Sequence, residues 1–515
     1  MALGDARQAP RGGRAFSFVR GGWAVLALLP IAIAPGVLTT QPALAADECG
    51  SGASVICAST RNPYGGGITY STNNQTVTLG PGVVVTAPNG GLGLNGAGSQ
   101  TANTSSGVTI GTTANGADAV YFYGAPTSVV IRAAGSSIST ANSNAWGYNV
   151  GDAAGVPGSV DAIVGDVVVG AADASSTNVR GVFAKSTGSS VSITSGAVTA
   201  RGTGNGVYGL YALAQSATAG ITINAGPVVL SGGSTAFAIY AAASGGDVSV
   251  TAAGVSNTGS GALVGGILAG TTGTGKVTVD STGGVVSLTG TTAYSTAISV
   301  SNGTGGVDVK TASITTAGTA TSGLAVTTSA TGSNQTVVNT SAGTITTTGT
   351  GAAYGISVSN LASSNVATID ITSSAISTGG VGAHGIYTAS GGAVTITAGN
   401  ITTTGGGADA IRPEEVRTVT ISSQNKTLST SGNGADGIRV QRTSANAVTV
   451  HAGTITTTGA ASQGIHVFNG TYSGVTVPDG GAITITAQSV TTTGAPSGSS
   501  IDADADAISV YTSGT

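Results

Sequence analysis

The stretch AlaGlyThrIleThrThrThrGly at Ala342–Gly349 occurs again, unchanged, at Ala452–Gly459, and Ala398–Gly405 differs from it only by Asn in place of the first Thr. Successive side chains of a β-strand point to opposite sides. The Ile of each copy is therefore predicted to point into a core and to stack on the Ile of the other copies. Thr347 and its equivalents, two residues later, then also point inward, where their hydroxyls are expected to hydrogen-bond along the stack. The final Gly is expected to turn a corner.

The phrase marks a repeating unit. From Ile314 onward, copies aligned on the Ile are spaced 25 to 35 residues apart, and each unit holds three short β-like runs, for example Leu428–Ser431, Gly437–Val440 and Ala447–His451. Three short strands in each unit of this length predict an all-β, right-handed parallel β-helix, a three-sided β-solenoid of about fourteen coils. The aligned positions are Ile110, Ile138, Val198, Val228, Val255, Val286, Ile314, Ile345, Ile376, Ile401, Leu428, Ile455 and Val490.

The composition agrees with a solenoid and argues against several other classes. Only 7% of the 515 residues are charged, 86 are Gly, and 40% are hydrophobic. The apolar residues are mainly Val, Ile and Ala in alternating runs, which favours short strands over disorder. The net charge is −4, and no basic patch indicates nucleic acid as a partner.

Three segments are predicted along the chain. Residues 1–45 combine a basic head, an apolar run at Trp23–Ile33 and a small-residue end, AlaLeuAla, which is typical of a secretory signal peptide. Residues 46–107 are predicted as an N-terminal cap with the first coils, and residues 108–515 as the repetitive solenoid. The chain stops within a coil, so Thr515 is interpreted as a truncated end. Cys49 and Cys57, which follow the export signal, are expected to form a disulfide, with two free thiols as the alternative.

The long leader ending in AlaLeuAla, the CysGlySerGlyAlaSerValIleCys pair and coils such as GlyThrIleThrThrThrGly and GlyAlaAspGlyIleArgVal resemble the passenger regions of bacterial autotransporters, the type V secretion proteins. The resemblance implies a cell-surface or extracellular location in a Gram-negative bacterium. It also implies an outer-membrane β-barrel translocator as a partner, in a missing C-terminal part or in a separate chain.

Polar residues concentrate before and on the second run of the late coils. The four coils between residues 382 and 466 read GlyAlaHisGlyIleTyr, GlyAlaAspAlaIleArg, GlyAlaAspGlyIleArg and AlaSerGlnGlyIleHis, and GlyAlaAspAlaValTyr at Gly116–Tyr121 is an earlier relative. Stacking predicts two neighbouring columns of side chains. The first column holds His384, Asp409, Asp436 and Gln463, and the second holds Tyr387, Arg412, Arg439 and His466.

Two interpretations of these columns are open. They could form a polar groove for a saccharide, in which carboxylates on neighbouring coils could in principle serve glycoside hydrolysis. Alternatively, they form a solvated face on which Asp409 and Arg412, and Asp436 and Arg439, neutralise each other.

Two further hypotheses concern a metal ion and ice. Asp502, Asp504 and Asp506 could hold a calcium ion, although the stretch lacks the ligand pattern of an EF-hand. The outward Thr-x-Thr pairs could suit an ice-binding solenoid, although coils such as Ser377–Gly379 interrupt the array. The chain shows no nucleophile set, phosphate loop or zinc spacing, so neither an enzyme nor a cofactor is expected. The favoured function is a structural or adhesive display rod that contacts a host surface or a polysaccharide. A carbohydrate-active β-helix enzyme and an ice-binding solenoid are the alternatives.

Overall fold

The chain divides into two compact units, Met1–Leu44 and Ala45–Thr515, and every described residue belongs to the second. The computed structural model describes residues 49–152, 154–171, 175–261, 263–290, 295–362, 366–441, 447–469, 481–496 and 505–512. The signal-peptide prediction therefore lies outside the described residues. Within the described part, no helix is long and apolar enough to cross a membrane.

The second unit is a parallel β-solenoid, as the repeat predicts. Its strands form two sheets, one of 26 strands and one of 16. The larger sheet contains two ladders, which we call the first and second faces, because several long strands run from one face onto the other. The smaller sheet is the third face.

Most strands of the larger sheet belong to a single face. Those that lie only on the first face are β1 (Ser54–Cys57), β3 (Thr76–Leu79), β6 (Gly98–Thr104), β13 (Val191–Ser195), β16 (Ile221–Ala225), β19 (Val248–Ala252), β22 (Val277–Ser281), β25 (Val307–Thr311), β28 (Thr336–Thr340), β31 (Ile369–Ser373) and β34 (Ala393–Thr397). Those that lie only on the second face are β4 (Val84–Ala87), β7 (Thr109–Thr112), β14 (Val198–Arg201), β17 (Val228–Ser231), β20 (Val255–Asn257), β23 (Val286–Leu288), β26 (Ile314–Thr316), β29 (Ile345–Thr347), β32 (Ile376–Thr378) and β35 (Ile401–Thr403).

Five strands belong to both of these faces: β9 (Pro126–Thr140), β11 (Ser159–Val169), β37 (Thr418–Thr430), β39 (Val448–Thr457) and β41 (Ile483–Thr492). The third face has β2 (Ile68–Tyr70), β5 (Leu92–Leu94), β8 (Val120–Phe122), β10 (Trp146–Val150), β12 (Arg180–Ser186), β15 (Asn205–Ala214), β18 (Thr235–Ala243), β21 (Leu263–Thr271), β24 (Thr296–Asn302), β27 (Ser322–Thr328), β30 (Ile356–Asn360), β33 (Ile386–Ser390), β36 (Ile411–Glu414), β38 (Ile438–Gln441), β40 (Ile465–Asn469) and β42 (Ile508–Thr512). A single 3₁₀ turn is described, at Ser59–Arg61.

The number of coils agrees with the prediction. Of the sixteen strands on the third face, β2 and β5 lie within residues 46–107, the region predicted as the cap, which leaves fourteen for the repeat. The cap is itself the start of the solenoid, since β1 pairs in parallel with β3. Cys49 and Cys57 are joined by a disulfide next to this first strand.

The register on the second face follows the sequence alignment residue by residue. Ile345 pairs with Ile314 on one side and Ile376 on the other, and the same ladder continues to Val490. Val167, which the alignment did not single out, occupies the position between Ile138 and Val198. The stacked Ile side chains are almost completely buried, and each contributes roughly 1.5–3 kcal/mol by leaving water.

The inward Thr residues behave differently from the expectation. Thr347 is buried, but its hydroxyl donates a hydrogen bond of 2.9 Å to the carbonyl of Ala353 in its own coil, not to a Thr of the next coil. Thr403 and Thr457 bind the carbonyls of Ala408 and Ser462 in the same way. The expectation of hydrogen bonds along the stack was wrong, because the chain turns directly after the strand and brings an unpaired carbonyl within reach. These hydroxyls hold the corner between the second and third faces.

The Gly residues of this corner are required by the close stacking of coils. A Cβ atom on Gly405 would overlap the carbonyl oxygen of Gly380 in the preceding coil, and one on Gly432 would overlap that of Gly405. Gly459 meets Gly432 in the same way. A side chain of any size would separate coils that must lie about 4.8 Å apart to pair.

Candidate functional site

The two predicted polar columns exist, and both lie along the third face. We call the column just before or at the start of each third-face strand the leading column, and the outward column three residues later the following column. Pairing of Tyr387 with Arg412 and of Arg439 with His466 builds the following column. The leading column is in register through backbone hydrogen bonds from Gly385, Ala410 and Gly437 to the carbonyls of Asp409, Asp436 and Gln463.

The leading column is a ladder in which the side chains of His384, Asp409 and Asp436 each bind the backbone of the next coil. Asp409 donates its backbone N–H to Nδ1 of His384 at 2.9 Å. Oδ1 of Asp409 accepts the N–H of Asp436 at 2.7 Å, and Oδ1 of Asp436 accepts the N–H of Gln463, also at 2.7 Å. Amide groups at a corner have no ladder partner, so these side chains supply the acceptors that buried amides require.

The second carboxylate oxygens point towards the side-chain nitrogens of the following column. Oδ2 of Asp409 lies 3.4 Å from Nη1 of Arg412. Oδ2 of Asp436 lies 3.3 Å from Nη1 of Arg439 and 3.4 Å from Nδ1 of His466. Each carboxylate is thus engaged on both oxygens.

Burial determines the protonation of this cluster. Desolvation, reinforced by the charges of Arg412 and Arg439, lowers the pKa of His384 well below its ordinary value, so its ring is neutral and Nδ1 can accept a hydrogen bond. Desolvation and the neighbouring charge of Asp436 raise the pKa of Asp409, against the opposing effect of the two arginines.

Both sequence interpretations placed these residues on an accessible surface, and for the leading column that is wrong. Asp409 is 1% exposed, Asp436 2% and His384 5%. The reason is the tight corner, where the backbone of the next coil covers each side chain that binds it. Carboxylates held in this way offer neither a free base nor an acid to a substrate, since both oxygens are occupied by the protein.

The more accessible part of the late coils is the following column from Tyr387 to Arg439 with its neighbours, whereas His466 of the same column is only 5% exposed. Arg412 donates from Nε to Oε1 of Glu414 at 2.8 Å and from Nη2 to Oε1 of Gln441 at 3.2 Å. Tyr387 donates its hydroxyl to Oε2 of Glu414 at 2.9 Å. Glu414 pairs with Gln441 on the neighbouring coil, and this network presents a mixed polar surface.

Sequence reasoning missed the continuation of both columns into the early coils. In register, Trp146, Arg180, Tyr208 and Phe237 extend the leading column, and Phe183, Tyr211 and Tyr240 extend the following one. The sequence contained the evidence for this continuation, since the small–aliphatic–aromatic pattern of GlyIleTyr at 385–387 occurs in three early coils. These copies are GlyValPhe at 181–183, GlyLeuTyr at 209–211 and AlaIleTyr at 238–240. Rings of neighbouring coils stack, with centroids 4.6 Å apart for Tyr211 and Tyr240.

The related stretch at Gly116–Tyr121 also contains a buried carboxylate that accepts a backbone N–H from the next coil. Oδ1 of Asp118 accepts the backbone N–H of Trp146 at 2.9 Å, and Oδ2 accepts from Asn149 at 2.7 Å and from the hydroxyl of Tyr123 at 2.9 Å. Burial raises the pKa of Asp118 to about 6, although these hydrogen bonds oppose the shift.

Nearly all aromatic residues of the described part belong to the strands of this one face, most of them on its outer side, while Tyr70, Phe122 and Tyr148 are buried in the core. Every described Trp, Tyr and Phe except Tyr64 lies in a third-face strand or within two residues of one. By contrast, the outward Thr346 on the second face pairs with Thr315 and Ser377, so the expected Thr array is interrupted there.

The calcium hypothesis finds no support in the described part of the chain. Asp502 and Asp504 lie outside the described residues, and Asp506 is exposed, with its backbone carbonyl accepting the N–H of Gly464. Among the described residues no group of three acidic, His or Cys side chains could hold a metal ion.

Comparison of the chain with protein-family models, with curated proteins and with solved structures found no match.

Proposed function

We propose that the protein is an exported, autotransporter-like passenger: a non-enzymatic solenoid that displays its third face for adhesive contact at the surface of a Gram-negative cell. The observation that carries this proposal is the collection of aromatic and Arg side chains along one face of a solenoid that is otherwise decorated mainly by Thr, Ser and Gly. Trp, Tyr and Arg are the residue types that most often dominate binding energy at interfaces.

The regular stack of coils supports the display role. Each coil contacts mainly its neighbours, so side chains at one position of the repeat form a continuous column along the solenoid. Fourteen strands of the repeat extend the third face coil by coil. A long surface with one kind of decoration suits contact with a polymer or with another surface better than it suits a single small substrate.

The site geometry favours binding over catalysis. The enzyme alternative depended on Asp409 and Asp436, which are buried and bind backbone amides and arginines through both oxygens. The ice-binding alternative depended on an unbroken Thr array, which Ser377 interrupts.

The experiment uses cells that carry the natural gene. We expect the mature chain to begin after Ala45, as read by N-terminal sequencing, and to be removed from intact cells by added protease. A chain that keeps residues 1–45 and is degraded only after the cells are lysed would refute the proposal. A periplasmic marker protein that stays intact during the digestion is the control for cell integrity.

A further inference from the structure

Arg180 occupies an unusual position in the leading column of the third face. Its guanidinium carbon lies 4.4 Å from the ring centroid of Trp146, 4.7 Å from that of Phe183, 5.0 Å from that of Tyr211 and 5.4 Å from that of Tyr208. A cation among aromatic faces is stabilised by their quadrupoles. The four rings therefore hold the guanidinium in place at the protein surface.

This cation has no counter-ion among the described residues. Arg412 and Arg439, on the same face, each lie within 3.4 Å of a carboxylate oxygen, whereas no described carboxylate forms an ion pair with Arg180. Its Nε is shielded from solvent and has no hydrogen-bond partner. The charge of Asp118 acts on Arg180, but both oxygens of Asp118 already accept hydrogen bonds. Shielded charges in proteins are normally paired, so Arg180 is prepared for an anion from outside.

A row of phenol groups lies beside this cation. Tyr208, Tyr211 and Tyr240 come from two consecutive coils, and their hydroxyls form no hydrogen bond with described residues. Desolvation raises the pKa of all three, so at neutral pH each phenol is protonated and can donate. The guanidinium and the phenols together offer donors to a ligand that carries anionic and hydroxyl oxygens.

We propose that the aromatic cluster around Arg180 binds an acidic polysaccharide, with a uronate carboxylate on the guanidinium and sugar hydroxyls along the row of Tyr208, Tyr211 and Tyr240. The inference rests on the proposed display function and names its ligand class. From β10 to β18 the cluster covers four coils, a length of about 14 Å at the usual strand spacing. An extended polymer whose units repeat a carboxylate and hydroxyls matches both the charge and the length of this surface.

The test uses the single tryptophan of the site. The chain has 2 Trp, at positions 23 and 146, so the full chain with Trp23→Phe reports only on Trp146. We expect its fluorescence to change and to saturate when polygalacturonate is added. Neutral dextran should produce no saturable change. If polygalacturonate produces none, or if dextran binds equally well, the proposal is overturned. If polyglutamate, which has carboxylates but no sugar, binds as tightly as polygalacturonate, the assignment to a saccharide is overturned.

Variants locate the site. Arg180→Gln should weaken polygalacturonate binding by about 30-fold or more, as expected when one partner of a desolvated charge pair is removed. Arg180→Lys, which keeps the charge but not the fork of donors, should bind more tightly than Arg180→Gln. Lys276→Gln is the matched control, because it removes one positive charge from an exposed side chain before β22 on the first face. Equal affinity of Arg180→Gln and the parent would overturn the proposal.

Two further measurements distinguish a misfolded variant from a lost binding site. The circular dichroism spectrum and the hydrogen exchange of the Trp146 amide show whether Arg180→Gln is folded, and the parent chain's preference among the polymers does not depend on any variant. A chain displayed on cells that ignores polygalacturonate would overturn this assignment alone. A chain that binds polygalacturonate but remains inside the cell would overturn the proposed function alone.

Discussion

Replacing Thr347 by Val tests the corner that joins the second face to the third. Val has nearly the shape of Thr but no hydroxyl, so the change removes the 2.9 Å hydrogen bond to the carbonyl of Ala353 without leaving a cavity. Thr347 is 1% exposed and Ala353 is 0% exposed, so water cannot replace the lost donor. A buried group left without its partner costs about 1–3 kcal/mol.

The assay should be local, because each coil of a solenoid depends mainly on its neighbours and the whole chain need not unfold in one step. Hydrogen exchange of the amides in the coil from Ile345 to Asn360 measures the free energy of opening there. Thr347→Val should lower it by about 1–3 kcal/mol, which is roughly a 5- to 150-fold faster exchange.

The matched control is Thr346→Val, one residue away. Thr346 points outward and is partly exposed, and its hydroxyl forms no hydrogen bond with described residues, so its replacement should change the opening free energy by less than about 0.5 kcal/mol. Thr347→Ser, which keeps the hydroxyl, should lose only about 0.8 kcal/mol for the missing methyl group. If the two Val variants lowered the opening free energy equally, or if Thr347→Val left it unchanged, the inward orientation of Thr347 and its corner hydrogen bond would be assigned incorrectly.

Three further predictions concern other parts of the solenoid. Gly405→Ala should destabilise its coil by at least about 1–3 kcal/mol, since the new Cβ overlaps a carbonyl of the preceding coil. Gly406→Ala should be tolerated, because its new Cβ would lie 3.7 Å from the nearest atom. Equal melting temperatures of the two variants would contradict this. Asp436→Ala should lower the hydrogen-exchange stability of its coil by more than Asp436→Asn, because Asn still accepts the buried amide of the next coil, worth about 1–3 kcal/mol; the reverse order would contradict the ladder. Folding raises the pKa of Asp118 to about 6. The contribution of this raised pKa to the free energy of unfolding is fully present below the ordinary pKa of an Asp side chain. It is lost as the pH rises through about 6, a loss of roughly 3 kcal/mol. Asp118→Asn should abolish this part of the pH dependence in the exchange of the Trp146 amide, and an unchanged profile would contradict it.

The stacking of coils could be predicted from the sequence because one chemical requirement repeats along the chain. A narrow core accepts only an apolar residue at the position of Ile345, so aligning those positions also aligns the hydrogen-bond register, coil by coil. Variation in coil length did not disturb this alignment, since the extra residues lie outside the aligned positions, as at the register shift between Ser423 and Thr427 within β37.

The environment of the polar columns could not be predicted in the same way. Their order along the face follows from the repeat, but the burial of Asp409 and Asp436 depends on where the backbone amides of the next coil point. That direction is set by the corner, which strand periodicity does not describe. The roles of the inward Thr hydroxyls were missed for the same reason.

The aromatic cluster was missed because its residues do not fall within the phrase that defined the repeat. Arg180 and Phe183 are three residues apart on one strand, yet their side chains contact each other, and the pairing with both neighbouring strands skips the intervening Gly181. A search for the GlyIleTyr frame in every coil would have found the cluster. The absence of a counter-ion for Arg180 among the described residues, however, requires the three-dimensional structure.

The central claim, that the exported solenoid makes contact through its third face, can be tested with two cysteine reporters. Both native cysteines are joined in a disulfide, so Ser299→Cys in the following column of the third face and Thr346→Cys on the second face each provide one reactive thiol. Both positions are partly exposed. A membrane-impermeant maleimide is added to intact producing cells, either free or attached to a polygalacturonate-coated surface. Both thiols are expected to react on free cells, and attachment is expected to protect the thiol at position 299 but to leave the thiol at position 346 reactive. No reaction on intact free cells, or equal protection of the two positions on attachment, would contradict the central claim.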